Sequence, residues 1–223
     1  GQRHNDIRND LEAPPKINLN TITQFISRPS WCLNMMTAKK LNFGNIMGHV
    51  TNVTNLSSLA SWTADQFDPT LTWEDIAWIK DRWKGKLILK GIMDSEDAML
   101  AVKAGADAII ISNHGGRQLD GAPSTISVLP EIVDAVNSKV EVHFDGGVRS
   151  GQDVLKALAL GADCIHIGRP YVYGLGAKGQ EGVEIAIEII KKELDLTMAM
   201  CGETNISNVG LHNLHHNPFK IIN

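Results

Sequence analysis

The sequence predicts an α/β protein whose parallel sheet amounts to half of a (β/α)8 barrel, and three observations carry that prediction. First, a helix-then-strand unit occurs twice. Asp97 to Ser112 aligns with Asp153 to Gly168, each closing its helix with Gly-Ala-Asp and continuing into an apolar run. Second, four short apolar runs finish at Lys90, Ser112, Asp145 and Gly168, with helix-length segments between them. Third, those runs lead into polar, glycine-bearing loops, and α/β proteins place their chemistry at the carboxyl ends of strands.

Taken in order, residues 10–58 show no sustained period of 3.6 or 2, carry Pro14, Pro15 and Pro29, and are rich in Asn and Thr. An irregular segment is expected there, long enough to be either functional or mobile. Within it Phe25, Trp31, Leu33, Met35 and Met36 interleave with Arg28, Lys39 and Lys40. Such a mixture suits a membrane interface, or equally packing against a neighbouring subunit. Ile76, Ile79 and Trp83, three or four apart, predict a short amphipathic helix, with Thr72 as N-cap and Asp75 completing an approximate capping box. The strand LILK then ends at Lys90, where an ammonium group at the sheet end needs an anion beside it. The third strand, VEVHFD, ends at Asp145. The last helix is expected from about Gly182 to Ala199, with Val183, Ile185, Ile187, Ile190 and Leu194 inward and Lys191 and Lys192 outward. Residues 1–209 read as one domain and 210–223 as a flexible tail.

The stretch from Ala108 to Gly121, AIIISNHGGRQLDG, carries the densest chemistry. A buried strand delivers Ser112, Asn113 and His114 to its end, and Gly115 and Gly116 let the backbone turn tightly. His114 and Arg117 then stand side by side as a base and an anion clamp, suited to a carboxylate-bearing substrate that must lose a proton. Without that strand-loop context, the pair would read as a turn histidine and a surface arginine. Two later loops, Asp145-Gly146-Gly147-Val148-Arg149 and Gly168-Arg169-Pro170, each join glycines to an arginine just before a helix. That combination suits a phosphate, although glycine turns alone would look similar.

Composition narrows the classes. A chain of 223 residues, 43% hydrophobic and 21% charged, buries a core. Its net charge of -4 gives no electrostatic reason to expect nucleic acid. Cys32, Cys164 and Cys201 form no paired spacing, so a reduced, cytoplasmic setting is expected. Neither a signal-peptide pattern nor an apolar run of transmembrane length occurs. His4, His212, His215 and His216 lack a Cys or carboxylate partner at ligand spacing, and no metal site is assigned.

The run SNHGGRQLDG, together with GxRxxDxxN from Gly1 to Asn9, resembles the signature of the FMN-dependent α-hydroxy acid dehydrogenase and oxidase family. The resemblance extends to about Val209 and is strongest to the bacterial respiratory L-lactate dehydrogenases. It implies the carboxyl-terminal half of a TIM (β/α)8 barrel, strands 5 to 8, with FMN as cofactor. His114 would take the substrate proton, and Arg117 with Arg3 would grip its carboxylate. Lys90 would lie beside flavin N1 and the C2 carbonyl, where negative charge develops on reduction. Asp145 would bond the ribityl chain, and Gly147, Arg149, Gly168 and Arg169 would hold the phosphate. Ser112 and Gly146 complete the expected cofactor contacts. In the respiratory members, the segment corresponding to residues 10–58 binds the membrane, which implies peripheral contact at the inner face.

Two functions compete at this point. One is FMN-dependent oxidation of an L-2-hydroxy acid, lactate above all, with electrons passed to a quinone or another respiratory acceptor. The other follows from a departure: the family's aspartate that pairs with the catalytic histidine, and both active-site tyrosines, belong to the amino-terminal half, which this chain lacks. A half-barrel would bind phosphate or FMN weakly, turn nothing over, and need self-association or a partner chain to cover its open edges.

Overall fold

The computed structural model describes residues 7–9, 18–38, 58, 62–63, 65–66 and 68–215. The chain divides into two compact units, residues 2–71 and 72–223.

In the first unit, two helices stand inside the segment expected to be irregular: α1 (Leu19–Ile26) and α2 (Pro29–Thr37). The Asn and Thr that read as loop composition act as caps. Asn18 Oδ1 accepts the Thr21 N–H at 2.9 Å, and Thr21 Oγ1 accepts the Asn18 N–H at 2.8 Å. Pro29 opens α2 where its missing N–H costs nothing. The Phe25 and Trp31 rings stack with centroids 5.5 Å apart. Leu19, Ile26, Leu33 and Met36 are exposed around them. Lys39, Lys40, Pro14 and Pro15 lie outside the described residues.

The second unit opens with α3 (Trp73–Arg82), whose capping box is the expected one: the Thr72 N–H donates to Asp75 Oδ2 at 2.7 Å. Four parallel strands follow, β1 (Ile88–Ile92), β2 (Ala108–Ile111), β3 (Glu141–Phe144) and β4 (Cys164–Ile165), in the spatial order β1-β2-β3-β4. Between them run α4 (Ser95–Lys103), α5 (Thr125–Val136) and α6 (Gly151–Ala159); α7 (Arg169–Lys178) and α8 (Gln180–Met200) follow β4. Lys90 does not end its strand: β1 continues to Ile92 through a register shift at Gly91.

The repeated Gly-Ala-Asp has a structural reason. Asp107 accepts the Leu87 N–H through its carboxylate and donates its own N–H to the Leu87 carbonyl, both at 2.8 Å. Asp163 makes the same pair of bonds to Val142, also at 2.8 Å. Each aspartate ties the start of its strand to the start of the strand before it.

One face of the sheet is apolar, and the other mixes polar side chains with Ile88 and Ile110. Ile109, Ile111, Val142 and Phe144 are buried against Ala98, Ala101, Leu129, Ile132 and Ile190 of the helices. Leu89, Ile165 and Ile167 pack partly into the same core, and Leu87 is half-buried. Turned the other way are Lys90, Ser112, Glu141, His143, Asp145, Cys164 and His166, linked to one another by hydrogen bonds or close approach. Beyond α8 the described residues run to His215. Leu211–Asn213 forms a 3-10 turn, and Glu203 Oε1 accepts bonds from His212 Nε2 at 2.7 Å and Asn213 Nδ2 at 2.9 Å. His212 thus has the carboxylate partner that its sequence spacing hides, and together these groups hold the Glu203 carboxyl below its ordinary value, Asn213 first.

Candidate active site

Three loops at the carboxyl ends of β2, β3 and β4 enclose a cavity of about 390 Å³. The first holds His114 with φ of +56°, a left-handed conformation that histidine tolerates better than most residues. Its backbone N–H donates to Ser112 Oγ at 3.1 Å, and Asn113 Oδ1 accepts the Gly116 N–H at 3.3 Å. Ser112 is itself buried, so the loop is pinned from beneath. The Gly115 carbonyl accepts Arg169 NH2 at 2.7 Å, and a Cβ at Gly115 would lie 2.6 Å from that nitrogen. Glycine is therefore what lets the arginine reach over this loop.

In the second loop Val148 is buried as an anchor while Arg149 stays exposed. Gly146 has φ of +114°, and a Cβ there would stand 2.4 Å from Thr125 Oγ1. The Asp153 carboxylate accepts the Arg149 and Ser150 N–H groups at 3.0 and 3.1 Å, which fixes the loop to α6. In the third loop Gly168 precedes α7, and no side chain caps the N–H groups of its first turn. Those donors and Arg169 at the mouth of the cavity give the chemistry of an anion site.

The cavity wall includes Lys90, His114, Arg117 and Asp145. Gly146, Gly147, Arg149, Gly168 and Arg169 line it as well, so the structure brings nearly all the sequence-predicted residues to one place. Ser112 lies just below, where Oγ donates to Asp145 Oδ1 at 2.7 Å and accepts Lys90 Nζ at 2.5 Å. Lys90 also pairs directly with the other Asp145 oxygen, which supplies the anion its position demanded. Arg3 lies outside the described residues.

Sequence reasoning missed His166 and Tyr171 in the wall. For His166 the signal was present: two residues before Gly168, it points to the same side of the strand line as Gly168. Burial, then the neighbouring His143, with Lys90 adding and Asp145 opposing, holds the His166 imidazole below its ordinary pKa. It was also unforeseen that His143, Cys164 and His166 approach one another, with a donor atom of each within 4.8 Å of the others.

The FMN-dependent dehydrogenase family matches residues 1–216. Among curated relatives, an L-lactate dehydrogenase of Vibrio cholerae serotype O1 is 40% identical over 215 residues, 96% of this chain and 57% of that protein. An L-lactate dehydrogenase of Allorhizobium ampelinum is 41% identical over 94% of this chain and 55% of its own. The chain thus spans a little over half the length of these relatives. Among solved structures, the monotopic membrane protein (S)-mandelate dehydrogenase superposes with a TM-score of 0.88 at 34% identity, over 94% of this chain and 55% of that one. With the predicted signature residues gathered around one cavity and relatives of 40% identity along almost its whole length, this chain belongs to the FMN-dependent dehydrogenase family.

Proposed function

We propose that the chain supplies strands 5 to 8 of a (β/α)8 barrel that oxidises an L-2-hydroxy acid, lactate in the first instance, to the 2-oxo acid with FMN as oxidant. The observation that carries this reading is the convergence of His114, Arg117, Lys90, Asp145, Arg149 and Arg169 on one cavity at the strand ends. The residues fit the cofactor. The uncapped first turn of α7, Arg149 and Arg169 would hold its phosphate, Gly147 and Gly168 leave room for close backbone approach, and the Lys90–Ser112–Asp145 cluster offers charge and polar groups to the ribityl chain and ring. Bound FMN would supply the two-electron acceptor. Arg117, with Arg3, would hold the substrate carboxylate, and His114 would accept the proton the substrate loses.

Electrons would pass on to a quinone or another respiratory acceptor. Exposed Trp31, Phe25, Leu33 and Met36 with Arg28 on α1 and α2 support peripheral membrane contact, as does the likeness to a monotopic membrane protein. No helix among the described residues is long and apolar enough to cross a membrane. β1 and β4 are the outer strands of the described sheet. In this reading they pair with the remaining barrel strands, contributed by more of the same polypeptide, by a partner chain or by self-association.

The test is anaerobic addition of L-lactate to the FMN-loaded protein, read as loss of flavin absorbance. Bleaching that falls about a hundredfold or more in His114→Ala, with FMN still bound, supports the proposal. Full-rate bleaching in that variant sinks the role of His114. FMN binding without any bleaching in the unaltered protein favours the second reading, a half-barrel that keeps the cofactor loops but turns nothing over.

A further inference from the structure

We propose that His143, Cys164 and His166 form a binding site for one borderline-soft divalent cation of the zinc class, on the face of the sheet opposite the apolar one. Strand register builds it. His143 and Cys164 are paired across β3 and β4, and His166 lies two positions beyond Cys164, so all three side chains leave the same face. His143 Nδ1 stands 3.1 Å from His166 Nε2, and a donor atom of each of the three residues lies within 4.8 Å of the others. In a tetrahedral zinc site, bonds of about 2.0–2.1 Å to nitrogen and 2.3 Å to sulfur place donors roughly 3.3 to 3.6 Å apart. The two imidazole nitrogens, 3.1 Å apart, are within about 0.2 Å of that spacing, and the thiolate needs to close by at most about 1.2 Å.

The surroundings favour the same conclusion. His143 Nε2 lies 3.2 Å from Glu141 Oε2. A proton held there by the carboxylate leaves the Nδ1 lone pair directed into the cluster, the usual way a ligating histidine is oriented. His143 is buried, and Cys164 and His166 are half-buried, so the three donors are shielded without being sealed. A thiolate with two imidazoles selects zinc-like ions over magnesium or calcium. Three protein ligands leave a fourth position for water. None of these residues is among the groups assigned to the substrate or the phosphate, although His166 also borders that cavity.

The experiment uses a Cys32→Ser, Cys201→Ser variant, which leaves Cys164 as the single thiol of the chain. Titration with Co2+ should give one equivalent bound, an intense near-ultraviolet band from thiolate-to-cobalt charge transfer, and complete displacement by Zn2+ but not by Mg2+. A further Cys164→Ser change should abolish the band, His166→Ala should weaken binding at least about tenfold, and Glu141→Gln by about tenfold. Absence of the thiolate band in the single-thiol protein overturns the proposal whether or not the other variants fold. So does an equivalent of Co2+ that survives Cys164→Ser but is lost when His212 and His215 are changed to alanine, which would place the metal on the tail histidines.

Discussion

Lys90 on β1 and the carboxylate of Asp145, which follows β3, form an ion pair that passes over the end of β2, with Ser112 bonded to both. The pair joins two strands that are not neighbours and fixes an ammonium group at the cavity wall. Lys90 is 45% exposed and Asp145 20%, so the pair contributes no more than about 1 kcal/mol to stability. Lys90→Met should therefore leave the thermal midpoint nearly unchanged while slowing lactate-dependent flavin reduction about a hundredfold or more. A large fall in melting temperature with reduction intact would make Lys90 a structural strut instead.

Arg169 makes two contributions that one substitution removes together. It donates to the Gly115 carbonyl, and it stands at the uncapped start of α7. Arg169→Ala should weaken FMN binding by about 1.5 to 3 kcal/mol, the usual loss for a hydrogen bond to a charged group. Equilibrium titration at fixed low salt measures it. An unchanged dissociation constant would remove this arginine from the phosphate site.

Acid should destabilise the protein through Asp107. Hydrogen bonds from Lys80, the Leu87 N–H and Lys86 hold its carboxyl well below the ordinary value of 3.8. A group whose folded pKa is depressed stabilises the fold above its unfolded pKa and ceases to do so as pH falls through the folded value. The stability gap between the protein and Asp107→Asn should thus be constant at neutral pH and narrow below about pH 4. Thermal midpoints across pH 2.5 to 7 test this, and a gap that widens in acid would contradict it.

Membrane contact should depend on the stacked pair on α1 and α2. Phe25→Glu with Trp31→Glu puts two carboxylates where exposed rings stand now. Co-sedimentation with anionic lipid vesicles should be lost, with helix content unchanged by circular dichroism. Retained binding would assign α1 and α2 to packing against protein.

Much of the second unit was legible because its local signals agree. Thr72 and Asp75 announce α3, the run from Ala108 to Ile111 announces β2, and the two Gly-Ala-Asp repeats mark equivalent places. The site loops were legible for the same reason: His114, Arg149 and Arg169 each follow a strand, with a glycine no more than two positions away. What escaped notice depends on neighbours distant in sequence. The helices α1 and α2 hid behind Asn18, Thr21 and Pro29, residues that cap helices as readily as they break them. Asp145 reads as a ligand contact in one dimension, and its pairing with Lys90 exists only once β1 and β3 flank β2. The approach of His143 to Cys164 likewise arises from cross-strand register, which no spacing along the chain encodes.

The strand order β1-β2-β3-β4 has a kinetic consequence. Every strand pairs with the one made just before it, so each closure spans only about 20 to 35 residues and carries a modest entropic cost. Asp107 and Asp163 add a bond from each new strand to its predecessor. Pairing between neighbours in sequence thus lets the sheet grow from one strand to the next through local closures.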